Sequence, residues 1–280
     1  MSNFGDLPPE YSEYESAKVA ILPIPFDESS TWMKGSEKGP GAIIEASANM
    51  ELYDIETNSE VYKKGIFTCA PIEADTAREM VDKAREKTAE LLKDGKLVVS
   101  LGGEHTVSLG PIQACHERHP RLSVLHLDAH ADTRDTYHDD KLSHACIMAR
   151  VKELTKETVS VGIRSMDSSE VAGLDRSRYF FAHEIQGRAG WVDEVLKKLN
   201  EEVYITIDLD VFDAGIMPST GTPEPGGLGW YDVLGLLREV AKHKSIVGFD
   251  VVELCPGEDK APDFLAAKLI YCVLSHRFAK

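Results

Sequence analysis

"SVLHLDAHADTRD", residues 123–135, is the stretch on which the reading of this chain turns. An apolar run ends abruptly in Asp128, His130 and Asp132, with only alanine between them. Extended backbone sends residues two apart to the same side. Three metal-friendly side chains therefore point one way from the end of a strand. They are either the polar lip of an ordinary buried strand or part of a coordination site, and the rest of the chain must decide.

Working outward, apolar runs recur at 19–26 (VAILPIPF), 96–103 (KLVVSLGG), 158–163 (TVSVGI), 203–210 (VYITIDLD) and 245–254 (SIVGFDVVEL), with a short one at 178–181. Helical segments alternate with them, at 39–54, from Thr76 to about Lys93, and at 144–154, 191–200, 230–243 and 263–275. Thr76 and Glu79 make a capping box, Gly95 closes that helix, and Glu79 and Lys83 form an i,i+4 pair. Another helix runs through "VSLGPIQACHERH", which Gly110 and Pro111 can break or restart. Strands apolar on both faces belong to a parallel sheet covered by helices on each side, which is an α/β fold. With no linker, repeat or low-complexity tract, one domain over 1–280 is expected, its first 17 residues an N-terminal extension.

Composition excludes several classes. At 280 residues, 42% hydrophobic and 28% charged, the chain reads as globular and has no apolar run long enough for a membrane span. The first twenty residues lack the basic and apolar regions of a secretory signal. Five scattered cysteines without CxxC spacing favour free thiols in a reducing compartment, so a cytoplasmic protein is expected. A net charge of −16 disfavours nucleic acid and anionic membranes as partners and is compatible with a cationic substrate.

Other strands also end in conspicuous residues. "SLGGEH" places His105 just past two glycines, "YITIDLDVFD" ends in Asp208 and Asp210, and "GFDVVEL" carries Asp250 and Glu253. Ligands of open α/β sheets bind beyond the carboxyl ends of strands. Four aspartates and two histidines converging there need cations to balance them, and only Arg134 and Arg164 lie near. A carboxylate and imidazole set without thiolate selects harder divalent metals such as manganese. Six ligands suit two metals about 3.5–4 Å apart. Other patterns carry less. "HERH" (116–119) has the wrong spacing for a zincin, there is no P-loop, GxGxxG or G-x-S-x-G elbow, and His126 reads as a satisfied core histidine.

With these residues in hand, the chain resembles the ureohydrolase superfamily, the binuclear manganese hydrolases that include arginase and agmatinase. "GGEH", "DAHAD", "IDLDVFD", "TGTPEPGGL" (220–228) and "FDVVELCP" (249–256) stand in the family order. The resemblance covers most of the chain from "LPIPFD" onward. It implies an arginase-like three-layer α/β/α sandwich with a mainly parallel, about eight-stranded sheet. It also implies two Mn2+ per subunit. His105 and Asp132 would bind one, His130 and Asp210 the other, and Asp128 and Asp208 would be shared. A metal-bridging hydroxide would attack the guanidinium carbon. Asp132 would orient it, Glu253 would pair with the guanidinium, and His144 would shuttle protons, so that Asp132, His144 and Glu253 form the catalytic set.

Within that family the residues resemble agmatinases most. The loop "TRDTYHDDKLS" (133–143) lacks the Ser-Gly-Asn run with which arginases hold an α-carboxylate, and it carries Asp135, Asp139 and Asp140. The expected reaction is hydrolysis of agmatine, a small cationic guanidine, to putrescine and urea. "ESSTWMKGSEKGPGAI" (28–43) departs from agmatinase wording at the substrate entrance, which opens the alternative of N1-aminopropylagmatine. Arginine and guanidinobutyrate are further alternatives, since Arg134 or Lys141 could meet an acid. A single-zinc deacetylase or a catalytically silent metal-binding regulator are readings from other classes; six ligands and an intact acid–base set speak against both. The resemblance implies a homotrimer or homohexamer. Ligand type alone leaves nickel, cobalt and iron open beside manganese.

Overall fold

Ser123–Leu127 is a strand with all five residues buried, and it lies inside a sheet. The computed structural model describes residues 3–279. Its strands are β1 (Val19–Ile24), β2 (Ile66–Thr68), β3 (Leu97–Gly102), β4 (Ser123–Leu127), β5 (Thr158–Val161), β6 (Tyr179–Phe180), β7 (Glu202–Asp208) and β8 (Ser245–Val252). They form one eight-stranded sheet in the order β2-β1-β3-β8-β7-β4-β5-β6, and every pairing is parallel.

Alternation along the strands sorts the core into two layers. On one face Val19, Ile21, Val99, Leu101, Leu125 and Ile205 pack against residues of the helices Gly39–Ser47, Trp230–His243 and Ala261–Phe278. On the other, Ala20, Leu22, Val98, Val124 and Tyr204 meet the helices Ala77–Lys93, Leu109–Arg118 and Ile147–Leu154. Both faces are covered, which is why the strands read as unbroken apolar runs. The expected α/β sandwich is what the chain forms.

Three local expectations change. The helix expected over 39–54 stops at Ser47, where the chain turns through Asn49, whose amide donates to Glu45 O. β2 went unread because it is three residues long and pairs only with β1, at the sheet edge. The Thr76 cap is half a box: its hydroxyl accepts from Glu79 N at 3.3 Å, but the Glu79 carboxylate takes Asp75 N. The Glu79–Lys83 pair forms at 2.7 Å. Pro111 falls in the first turn of Leu109–Arg118, where a missing N–H costs nothing.

The extension expected at 1–17 packs into the core from its first described residues; residues 1 and 2 lie outside those described. Phe4 is fully buried, its N–H donating to Thr68 Oγ1, and Gly5 N–H reaches Ser47 Oγ. All five cysteines are buried and unpaired. Among the described residues, no helix is long and apolar enough to cross a membrane.

The glycines after β3 bring backbone against backbone. Gly103 N–H donates to Ile24 O, and a Cβ on Gly103 would sit 2.1 Å from Phe26 O. Backbone cannot yield as a flexible side chain can, so Gly103→Ala is expected to lower unfolding stability by about 2 kcal/mol or more. Urea denaturation checks this; an unchanged midpoint would show that the loop after β3 moves freely.

Candidate metal centre and active site

Four adjacent strands, β3, β8, β7 and β4, deliver the polar residues expected at strand ends. His105 opens a short 3₁₀ turn after β3, Asp128, His130 and Asp132 follow β4, Asp208 ends β7 with Asp210 just past it, and Glu253 follows β8. His105 and Asp128 are wholly buried, while His130, Asp132, Asp208, Asp210, His144 and Glu253 line a cavity of about 300 Å³ above them.

The atoms converge in two groups. His105 Nδ1 lies 3.2 Å from Asp128 Oδ2, 3.3 Å from Asp132 Oδ2 and 3.4 Å from Asp208 Oδ2, yet hydrogen-bonds to none of them. Ligand atoms about 2.1 Å from one ion at right angles stand roughly 3 Å apart, so each oxygen lies from this orphaned nitrogen at the spacing of two ligands of one ion. His105, Asp128 and Asp132 also lie mutually close, with Asp208 beside them. On the other side His130 Nδ1 lies 2.9 Å from Asp210 Oδ2 and 3.6 Å from Asp128 Oδ1. Asp128 turns one oxygen to each group and is the shared residue. Asp208 offers its Oδ2 to the first group alone, while its Oδ1 accepts Asp210 N–H at 2.8 Å.

Neighbouring strands hold these atoms in place. His105 Nε2–H donates to Thr206 Oγ1 at 2.8 Å, and the Thr206 hydroxyl donates to Asp250 Oδ1 at 2.7 Å. That chain fixes the tautomer and leaves Nδ1 free to face the carboxylates. His126 Nε2–H donates to Asp128 Oδ2 at 2.7 Å, and its Nδ1 accepts from Ser160 Oγ at 3.1 Å. His126 groups spatially with His105, Asp128 and Asp132, but both its nitrogens are engaged, so it orients Asp128. It is the satisfied core histidine expected, and one of its partners is the shared carboxylate. The Asp250 carboxylate, conspicuous in the sequence beside Glu253, is taken by the Tyr204 and Thr206 hydroxyls of β7.

Asp132 and Glu253 both have left-handed backbone, at φ 52° and 67°. Non-glycine residues hold that conformation where the surroundings impose it. Asp132 O accepts from Met148 N at 2.9 Å, and Glu253 N donates to Gly103 O at 2.8 Å. Glu253 Oε1 takes His105 N–H at 2.6 Å. Thr133 is held by Glu170 Oε1, through its N–H at 2.7 Å and its hydroxyl at 2.8 Å.

Neither nearby arginine balances the cluster. Arg164 donates to the backbone carbonyls of Asp210 at 2.6 Å and Glu224 at 2.7 Å, clamping two loops together. Arg134 stands 3.9 Å from Asp167 and over the Tyr137 ring. Burial, then Asp210 and Asp128, push Asp208 well above the usual carboxylate range; burial, then Asp128, raise Asp210. Burial also raises Glu253 well above its usual value, with Glu104 adding to it. Burial alone would lower His105 and His130, yet the carboxylates outweigh it: His105 is held well above its usual value by Asp128, Asp132 and Asp208, and His130 is raised to about 12 by Asp210 and Asp128. Without a cation the carboxylates thus favour protonated imidazoles, in the places where divalent cations fit. An all-oxygen and imidazole donor set suits manganese-like ions.

The 133–143 loop reaches the cavity through Arg134 and Tyr137, but its three aspartates do not line it. Asp135 pairs with Arg150 at 2.8 Å, and Asp140 accepts from Leu142 N. Beyond the metal cluster and Glu253, the acidic residues that line the cavity are Asp167 and Glu170, whose "DSSE" reads in sequence only as a helix cap, and they form a capping box. The 28–43 segment does border the cavity, through Ser30, Thr31, Trp32 and Met33.

This sheet, with acid and imidazole side chains gathered at the ends of four central strands, defines a metal-dependent hydrolase of the ureohydrolase type. The chain belongs to the arginase family, whose model matches residues 17–275. It is an enzyme that hydrolyses guanidino C–N bonds. It is 37% identical to the N(1)-aminopropylagmatine ureohydrolase of Synechocystis over 95% of this chain and 90% of that one. It is 38% identical to the enzyme so named from Thermus thermophilus, over 92% and 89%. The agmatine ureohydrolase structure from Thermoplasma volcanium superposes with a TM-score of 0.90 at 30% identity, covering 100% of this chain and 95% of that one.

Because metal must displace the imidazole protons, binding is expected to release protons at neutral pH and to weaken as pH falls. Titrating the metal-free protein with Mn2+ in buffers of different ionisation enthalpy checks this. Proton-neutral binding would place the metal elsewhere.

Proposed function

We propose that the protein hydrolyses N1-aminopropylagmatine, releasing urea and leaving the free triamine. This moves the substrate from agmatine, the expectation from motifs alone, to its longer derivative. The observation that carries the reading is the cavity wall. Asp167 lines the cavity, and among the described residues its Oδ2 has only the long Arg134 contact, its Oδ1 being taken by Ser169. Ser169 hydrogen bonds keep the Asp167 carboxyl below its usual range, hence charged. Trp32 and Tyr137 add aromatic surface suited to an alkylammonium chain. The names carried by the two relatives point the same way.

In this reading His105, Asp128, Asp132 and Asp208 would hold one manganese, and Asp128, His130 and Asp210 the other. When bound, the pair supplies Lewis acidity that makes water a nucleophile at neutral pH. Guanidinium carbon is a poor electrophile, so alignment matters. Glu253 Oε2, free of the His105 hydrogen bond, pairs with the guanidinium nitrogens and turns the carbon toward Asp132. Asp132 takes the proton that the nucleophile loses. His144, in the cavity wall, delivers a proton to the departing amine. Burial holds the His144 pKa below its usual value, so the ring is neutral near pH 7 and must first accept the proton it passes on.

Urea release should be faster, in kcat/KM, from N1-aminopropylagmatine than from agmatine. Agmatine as the better substrate would return the assignment to agmatinase, and no urea from either would end it. Asp167→Asn should raise KM for the longer substrate about tenfold and leave that for agmatine nearly unchanged. His144→Asn should keep its metal while kcat drops by about 100-fold; loss of metal would mark a structural role instead.

A further inference from the structure

Glu104 is a wholly buried carboxylate beside the centre, and the reaction described above does not use it. Its partner is Ser29, in the entrance segment. Ser29 N–H donates to Glu104 Oε2, and Ser29 Oγ lies 2.9 Å from Glu104 Oε1. The same Ser29 Oγ lies 2.9 Å from His144 N and 3.0 Å from His144 Nδ1. One hydroxyl thus stands between a buried carboxylate and the imidazole that faces the substrate.

A serine hydroxyl has one proton to give and two lone pairs to offer. The carboxylate only accepts. If the hydroxyl pointed at His144, Glu104 Oε1 would lose its donor inside the protein, a penalty larger than one ordinary hydrogen bond. The proton therefore goes to Glu104. Ser29 Oγ must then accept from both His144 groups, the backbone N–H and the ring. Nδ1 carries the ring proton, and Ser143 Oγ, 3.4 Å away, can accept from it as well. Among the described residues Nε2 has no hydrogen-bond partner, and the ring lines the cavity. The Tyr137 ring packs edge-on against it with centroids 5.6 Å apart, limiting rotation.

We infer that Ser29 and Glu104 are positioning residues that lock His144 in the Nδ1–H tautomer, presenting the bare Nε2 to the substrate amine. The inference rests on the proposed role of His144 in proton delivery. It also gives the entrance segment a task besides bordering the cavity. Ser29 ties that segment to His144 and to the Glu104 that precedes His105, so entrance, proton carrier and metal loop share one hydrogen-bonded path.

The test is a double-mutant cycle, measured with whichever of agmatine and N1-aminopropylagmatine the wild type turns over. Ser29→Ala should lower kcat by about 10- to 100-fold, with KM and bound metal unchanged, and Ser29→Thr should restore most of it. In the His144→Asn background Ser29→Ala should cost less than about twofold, because its effect runs through that ring. Additive losses, a change confined to KM, or loss of metal would overturn the inference. Nitrogen-15 NMR of the His144 ring in the metal-free protein reads the tautomer without activity. Protonated Nδ1 and bare Nε2 are expected, and the opposite tautomer would overturn the inference. A wild type that releases no urea would defeat the proposed function while leaving that spectrum to decide the tautomer.

Discussion

The hydrogen bond from Thr206 to Asp250 exists because β7 and β8 lie in one register, with these residues directly opposed. In the same row His126 pairs with Thr206 across β4 and β7, and with Ser160 across β4 and β5. Ser160, His126, Thr206 and Asp250 thus make a buried polar line across four strands. Two of its members reach upward, His126 to Asp128 and Thr206 to His105. A slip of one residue in any of these strands would turn its member to the opposite face. The parallel register of the central strands therefore sets the orientation of both the shared carboxylate and the buried imidazole.

The second constraint is charge. Asp128, Asp132, Asp208, Asp210 and Glu253 are all buried together. Protein offers them backbone N–H groups from Ala129, His105 and Asp210, and imidazoles, but no arginine or lysine within the cluster. Arg164 is turned to carbonyls instead, where it shapes the loop that carries Asp210. Carboxylates held this closely without cations cost stability, and that is the usual signature of a site where function outweighs stability. The left-handed backbone at Asp132 and Glu253 belongs to the same balance.

Much of this was legible in the sequence. Apolar runs ending in Asp or His mark both the strands and their functional ends, because a parallel sheet buries the strand and opens at its carboxyl edge. What stayed hidden depends on pairing across long separations. Thr206 inside β7 looks like any core residue until β8 lies beside it. Ser29 and Glu104 are 75 positions apart and meet only through the fold. The aspartates of the 133–143 loop attract attention by their number, yet none lines the cavity, and Asp135 and Asp140 are held by partners outside it. Asp167 and Glu170, disguised as a helix cap, stand in its wall. Motifs bound to one strand end can be read; contacts set by register cannot.

The position of β8 carries a consequence for how the chain is made. β8 is the last strand in sequence, yet it lies between β3 and β7. Without it the sheet falls into two separate halves, β2-β1-β3 and β7-β4-β5-β6. His105 belongs to the first half, and Asp128, His130 and Asp132 with the pair Asp208 and Asp210 to the second. A chain emerging from the ribosome holds both halves with open edges until β8 has been synthesised, a slow and aggregation-exposed route. Only insertion of the final strand brings the two sets of ligands to one place. Metal capture that joins His105 to the carboxylates of the other half is consequently a report that β8 has inserted and the sheet has closed.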